Sequence, residues 1–303
     1  MKKKSKNILV VGGTGFIGHH LIKHSLKKNY KVTSISIKKP TTKNLFRGVE
    51  YISCDIRDKK KLEKKLKKPF NYVVNLGGYV DHSKKKETFS SHYNGAKNLA
   101  QIFLSRNIES FIQLGSGLEY GKTKLPQKES FECKPRSTYS LAKFKTSKYL
   151  LDLFKKKKFP TNIIRLYQSY GPNQKFNRLI PFVIKACLKN KKFECTDGLQ
   201  KRDFLYIDDL INLIFKILKS KKIHGYVFNA GSGKPIKIRS LIEKIKIFSL
   251  GGLPDYGKIK MRKDEIKDMY PSIYSAQKLL GWKPRISINA GLKKTIKFYR
   301  EKL

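Results

Sequence analysis

Asn7-Ile8-Leu9-Val10-Val11-Gly12-Gly13-Thr14-Gly15-Phe16-Ile17-Gly18 is the stretch on which the fold turns. Its apolar run, stopped abruptly by glycine, reads as a buried strand over Asn7–Val11. From Gly15 to Lys28 the pattern becomes helical, with Phe16, Ile17, Leu21, Ile22 and Leu26 on the inner side. Gly12, Gly15 and Gly18 stand three apart between the two elements. Glycine there permits a tight turn and close approach of backbone to a ligand. The helix behind it offers unpaired N–H groups and the positive end of its dipole. A glycine triplet alone is a weak sign, but between a strand and a helix it points strongly to the pyrophosphate of a dinucleotide.

Working outward, the alternation continues. Lys31–Ile37, Val49–Cys54, Tyr72–Leu76, Ser110–Leu114 and Asn162–Leu166 read as further strands, and Thr88–Arg106 and Tyr139–Lys157 as helices. Strands separated by helices of this length imply right-handed crossovers. The fold class is therefore α/β, a Rossmann-like doubly wound parallel sheet. After Leu166 the texture changes. Tyr170-Gly171-Pro172-Asn173-Gln174 is turn-rich, Leu179–Leu188 and Asp208–Leu218 read as helices, and Tyr226–Asn229 as a strand. A last helix lies near Ala290–Arg300. This predicts a dinucleotide-binding domain over residues 1–170, with a strand near 226–230 returning to it. Residues 171–303 would form a smaller C-terminal α+β lobe that binds substrate.

Composition narrows the class. The 303 residues are 39% hydrophobic and 12% aromatic, too rich for disorder. No apolar run approaches the roughly 20 residues that span a bilayer. Asn7–Val11 is too short for a signal-peptide core, so a cytoplasmic protein with no membrane contact is expected. Cys54, Cys133, Cys187 and Cys195 are scattered without a CxxC pair, which predicts reduced thiols and no metal site. The formal net charge of +46 raises the question of a nucleic-acid surface. The lysines, however, run along the whole chain and thicken on polar helix faces. In Lys59-Lys60-Lys61-Leu62-Glu63-Lys64-Lys65-Leu66, the two leucines four apart face the core and the lysines face water. Such a spread requires no specific nucleic-acid partner, although its field attracts an anionic substrate.

The second strand ends in Ile35-Ser36-Ile37-Lys38-Lys39, without the carboxylate that usually holds the adenosine ribose of NAD. A hydroxyl at Ser36 and ammonium groups from Lys38 onward suit a 2′-phosphate, so NADP is preferred and NAD is the alternative. Asp55-Ile56, after the third strand, is placed to touch the adenine, although Asp55 equally fits a helix cap. Tyr139 and Lys143 form Tyr-x-x-x-Lys, and the i, i+4 spacing sets phenol and ammonium on one helix face. An isolated tyrosine, with a pKa near 10, is a poor base at neutral pH. A neighbouring ammonium favours the phenolate. Tyr139 can then exchange a proton with a substrate hydroxyl as hydride moves to or from a nicotinamide, while Lys143 also holds the nicotinamide ribose. Ser116, in Gly115-Ser116-Gly117-Leu118-Glu119-Tyr120-Gly121, falls at the carboxyl end of the fifth strand, where a parallel sheet presents catalytic groups.

With these residues in view, the chain resembles the extended short-chain dehydrogenase/reductase family of nucleotide-sugar enzymes, over nearly its whole length. The marks are Gly12–Gly18, Ser116 followed by Tyr120-Gly121, Tyr139 with Lys143, and Arg165-Leu166-Tyr167 followed by Tyr170-Gly171-Pro172. To these are added Arg202-Asp203-Phe204 with Asp208-Asp209, Asn229 with Gly231, and Leu280-Gly281-Trp282 with Pro284. The resemblance implies a nucleotide-sugar substrate, hydride transfer at sugar C4, and a homodimer. It implies Asn177, Arg202 and Arg262 as holders of the substrate's diphosphate and nucleoside, and Leu76 as part of the cofactor wall.

Three departures stand out. The Asp-Glu pair that dehydratases of this family carry after the serine is Gly117-Leu118, with Glu119 two positions late. The usual Leu-Ala-Ala is Leu76-Gly77-Gly78, and the usual asparagine three residues before Gly95 is His92. Two reactions follow, a 4-ketoreductase and a redox-neutral 4-epimerase. The NADP bias and the missing acids favour the reductase. The competing readings are an RNA-binding protein on a dehydrogenase fold and a dehydrogenase of a non-sugar ketone. The intact Ser116, Tyr139 and Lys143 oppose the first, and the Arg202 and Trp282 motifs the second.

Overall fold

The computed structural model describes residues 5–38, 40, 45–79, 83–220, 222–261 and 265–303. The first half runs β1 (Asn7–Val11), α1 (Phe16–Lys27), β2 (Lys31–Ser36), β3 (Val49–Ser53), α2 (Lys59–Lys65) and β4 (Tyr72–Asn75). It continues through α3 (Lys85–Phe89), a π-helical turn at Ser90–Asn94, α4 (Gly95–Leu104) and β5 (Ser110–Ser116). A 3-10 turn at Gly117–Tyr120 leads to α5 (Thr138–Lys157) and β6 (Thr161–Leu166). Then come β7 (Gln168–Tyr170), α6 (Leu179–Leu188), β8 (Lys192–Glu194), β9 (Lys201–Arg202), β10 (Phe204–Tyr206) and α7 (Ile207–Lys219). The chain closes with β11 (Val227–Ala230), β12 (Ile236–Lys237), α8 (Ile238–Ser249), β13 (Leu253–Asp255), β14 (Asp268–Met269), α9 (Tyr274–Leu280) and α10 (Ile288–Arg300).

The main sheet has seven strands in the order β3-β2-β1-β4-β5-β6-β11. The pairings from β3 across to β6 are all parallel. This is the doubly wound α/β fold that the alternation predicts. Leu9, Ile35, Val73, Phe111 and Ile163 are completely buried in its core, as strands covered on both faces by helices must be. The order reverses between β2 and β4, on either side of β1. A parallel sheet with such a switch point binds ligands beyond the carboxyl ends of its strands, where the Gly12–Gly18 turn lies.

Two differences from the sequence reading are local. β5 runs past the apolar stretch to Ser116, because Gly115 and Ser116 keep pairing with Arg165 and Leu166. The helix expected over Thr88–Arg106 begins at Lys85 and is interrupted by the π-helical turn carrying His92.

Contacts divide the chain into two compact units. One is Met1–Gly121, Glu132–Leu166 and Ile211–Phe228; the other is Lys122–Phe131, Tyr167–Leu210 and Asn229–Leu303. The second unit holds the small sheets β10-β7, β12-β9-β14 and β13-β8. Its anchor is Trp282, completely buried, whose Nε1 donates to the Asp209 carbonyl at 3.1 Å. The Asp209 carboxylate accepts from the N–H groups of Arg285 and Ile286 at 3.0 and 2.9 Å, tying α7 to the approach to α10.

Candidate active site

The glycine turn is shaped by contacts that no side chain permits. Gly12 has φ +80, and its N–H donates to the Ile35 carbonyl at 2.7 Å. A Cβ on Gly18 would lie 2.4 Å from the Gly12 carbonyl oxygen and 2.5 Å from the Gly13 Cα, both backbone atoms. Gly15 begins α1 with no side-chain cap, and the first turn of the helix carries no acid. The free N–H groups and dipole of α1 thus face outward beside half-buried Phe16 and Ile17, a cradle for an anion. These residues fit a dinucleotide pyrophosphate.

Ser36 ends β2 beside this turn and accepts from the Thr14 hydroxyl at 3.0 Å; Lys38 is exposed just beyond. Asp55 is not the cap of α2. That role belongs to Asp58, which accepts from the Lys61 N–H. Asp55 is instead gripped by Arg57, whose Nε and Nη2 reach its Oδ2 at 2.9 and 2.6 Å. Burial pushes the Asp55 carboxyl up, but the bonds from Arg57 outweigh it and hold the group below its ordinary value. Ile56 is buried, packed where Cβ atoms on Gly77 or Gly95 would meet it. Leu76 follows β4, its N–H bonded to the Val11 carbonyl at 3.0 Å.

In the first unit Tyr139 and Lys143 lie together against the end of β5, the strand that closes with Ser116. Ser137 caps α5 by accepting from the Ser140 N–H, which puts Tyr139 in the first helical turn, where the dipole favours a phenolate. Lys143, one turn on, is buried; its Nζ donates to the Leu114 carbonyl at 2.7 Å and lies 5.8 Å from the centre of the Tyr139 ring. Burial pushes the Lys143 ammonium down to about 8, against an upward pull from Glu119. The Ser116 hydroxyl accepts from the Leu118 N–H at 3.2 Å, which leaves its proton to donate elsewhere.

Two of the departures, Gly78 and His92, explain each other. His92 packs edge-on to Tyr139 with ring centroids 5.0 Å apart, and its Nε2 meets the Tyr79 carbonyl at 3.2 Å. A Cβ on Gly78 would fall 1.8 Å from Cε1 of the same ring. Only glycine leaves the space the imidazole fills.

Glu119, two positions late for a dehydratase acid, is completely buried and held on three sides. Its Oε1 accepts the Ser116 N–H at 2.8 Å, and its Oε2 accepts the Ser147 hydroxyl at 2.9 Å and Arg165 Nε at 3.0 Å. The sequence reading missed this role; the available signal was an acid spaced three after a strand-ending serine, the pattern of a capping box.

In the second unit a cavity of about 410 Å³ is lined by Leu179, Phe182, Phe193, Phe204, Ile238 and Ile242, with Gln200, Arg202 and Glu265 as polar members. Its volume and mixed lining suit a small organic ligand. Arg202 is buried in the wall. Its Nη1 donates to the carbonyls of Lys201 and Lys267, and its Nη2 to Glu265 at 2.7 Å and the Ile266 carbonyl at 2.7 Å. Burial lowers the guanidinium's pKa, with Glu265 opposing. Arg202 thus clamps the Glu265–Lys267 segment to the cavity, a partner set the sequence did not reveal. Asn177 is exposed in the turn before α6, two residues from the cavity-lining Leu179. Arg262 lies outside the described residues. Among the described residues, no group of three His, Cys, Asp or Glu is placed to hold a metal, and no helix is long and apolar enough to cross a membrane.

The model of the NAD dependent epimerase/dehydratase family matches residues 8–231. CDP-abequose synthase of Salmonella muenchen is 28% identical over 298 residues, 96% of this chain and 97% of that protein. The crystal structure of UDP-glucuronic acid 4-epimerase from Bacillus cereus, in complex with UDP-glucuronic acid and NAD, is 27% identical with a TM-score of 0.87. It covers 98% of this chain and 100% of its own. A UDP-glucose 4-epimerase of Thermotoga maritima shares the fold with a TM-score of 0.90 at 23% identity, over 98% of this chain and 99% of its own.

Proposed function

Since the chain belongs to the NAD dependent epimerase/dehydratase family, we propose that it moves a hydride at C4 of a nucleotide-activated sugar, with Tyr139 as general acid–base, and that its reaction is that of a 4-ketoreductase. The observation that carries the reading is Lys143, set beside the Tyr139 ring and bonded to the Leu114 carbonyl two residues before Ser116 at the carboxyl end of β5. The bound nicotinamide supplies the hydride. Gly12, Gly15, Phe16, Ile17 and Gly18 would hold its pyrophosphate, Asp55, Ile56 and Leu76 its adenine side, and Tyr139 and Lys143 the nicotinamide ribose. Ser36 and Lys38 favour NADP over NAD.

In this reaction Ser116 would donate a hydrogen bond to the C4 oxygen, polarising the carbonyl while keeping its own proton. Tyr139 passes its own proton to that oxygen as charge develops there. Lys143 and the first turn of α5 stabilise the phenolate left behind. Elimination from C5 and C6, as in a dehydratase, needs an acid beside the serine. Gly117 and Leu118 offer none, and the Glu119 carboxylate is committed to Ser116, Ser147 and Arg165. The cavity walled by Arg202 would take the nucleotide end, with Asn177, Arg202 and Arg262 as the holders of its diphosphate and nucleoside.

A redox-neutral 4-epimerase is the alternative, favoured by the likeness to the Bacillus cereus epimerase. The test is absorbance of NADPH and of NADH mixed with the protein and a panel of 4-keto-6-deoxy sugar nucleotides. Oxidation in step with substrate supports the reductase. No oxidation with any of them refutes it and moves the search to ordinary hexose nucleotides, by product analysis.

A further inference from the structure

Behind the catalytic trio lies a buried charged cluster that hydride transfer does not itself use. Arg165 on β6 pairs with Glu119, stacks its guanidinium 4.4 Å from the centre of the Tyr120 ring, and has a side chain only 6% exposed. A buried ion pair is a poor device for stability, because desolvation offsets the attraction. This one is also built into the site. Ser147, which donates to Glu119, stands one turn beyond Lys143 on the same face of α5. Gly115 admits the carboxylate, since a Cβ there would sit 2.5 Å from Glu119 Oε1.

We propose that Glu119 is a positioning residue: locked by Arg165 and Ser147, it fixes Ser116 at the end of β5 and supplies the counter-charge for the buried ammonium of Lys143. This rests on the reading of Ser116, Tyr139 and Lys143 as the catalytic groups. The titratable and charged side chains that act with Glu119 are Lys143 on α5, Arg165 on β6 and Cys133 in the segment before α5, with Tyr120 of the 3-10 turn against Arg165. Burial opposes the Arg165 charge, but Glu119, Tyr120 and Cys133 together outweigh it and hold the guanidinium above its ordinary value. Burial pushes the Cys133 thiol up to about 11, away from neutrality. Lys143, at about 8, is the group whose charge near neutral pH Glu119 governs. Without the carboxylate, burial alone acts on Lys143 and its ammonium is lost at lower pH.

The experiment is trace labelling with acetic anhydride across pH 6 to 10, with the reactivity of Lys143 read by peptide mass spectrometry in folded protein. Glu119→Gln is expected to move the Lys143 titration down by about one pH unit, and Glu119→Asp, which keeps the charge, to leave it near the parent's. A folded Glu119→Gln whose Lys143 titrates as in the parent overturns the proposal. Should Glu119→Gln not fold because Arg165 is stranded, Glu119→Gln with Arg165→Gln reads the same shift. The pair is compared with Arg165→Gln alone, so that the Arg165 charge is absent from both, and a Lys143 titration equal in the two overturns the proposal. The labelling requires no substrate. A failure of hydride transfer with every sugar nucleotide therefore refutes the proposed reaction separately from this assignment.

Discussion

Replacing Gly18 by alanine tests whether the glycine turn is a cofactor cradle or merely a bend. The new Cβ would stand 2.4 Å from the Gly12 carbonyl oxygen, where ordinary contact begins near 3.4 Å. Neither that oxygen nor Gly13 Cα is the end of a flexible side chain, so the turn has to open by about 1 Å. Overpacking of this kind costs about 1–3 kcal/mol of stability. The same movement withdraws N–H groups from the anion, and a hydrogen bond to a charged group contributes about 1.5–3 kcal/mol. Loss of one such bond predicts about ten- to hundredfold weaker binding of NADP or NAD. Isothermal titration calorimetry of folded Gly18→Ala against the parent measures it. Gly48→Ala is the control for general destabilisation: alanine is strained at its φ of +81, but a Cβ there would have nothing within 4 Å, and Gly48 is not part of the turn. Gly18→Ala binding both cofactors within about twofold of the parent would refute the cradle.

Tyr139→Phe is expected to keep most of its cofactor affinity, because the Gly12–Gly18 turn and Lys143 remain, and to lose at least about a hundredfold in turnover, the low end for general acid–base catalysis; near-normal turnover would remove Tyr139 from the mechanism. Trp282→Phe strips the donor from the Asp209 carbonyl and leaves a gap in a completely buried site. A loss of about 2–4 kcal/mol is expected, read by urea denaturation with circular dichroism. Lys143 has a folded value of about 8 against 10.5 when unfolded. The unfolded chain thus binds more protons in that window, and the stability contributed by this site is depressed below about pH 8 and recovers as pH rises toward 10.5. Lys143→Met lacks the penalty, so its stability relative to the parent should fall by roughly 2–3 kcal/mol between pH 7 and pH 10. A difference that is the same at both pH values counts against the buried-charge argument.

What the sequence determined by itself was local in origin. A strand stopped by Gly12, a helix that starts at Gly15 without a side-chain cap, and a tyrosine and lysine four apart on one helix are dictated by backbone sterics and helical periodicity. These operate over a few residues, so the doubly wound sheet and the pairing of Tyr139 with Lys143 could be read directly. Other features depended on which distant segments share a buried volume. Glu119 and Arg165 are 46 positions apart, and Arg202 and Glu265 are 63 apart. No periodicity announces such pairs; they form because a buried charge or donor must find a partner wherever the fold brings one. The match of Gly78 to His92 is of the same kind, since the need for glycine at 78 comes from a ring 14 residues away in the chain but against it in space. Helical spacing therefore delivered Tyr139 and Lys143 to one face, while the packing of the sheet decided what surrounds them and, through desolvation, how Lys143 is charged.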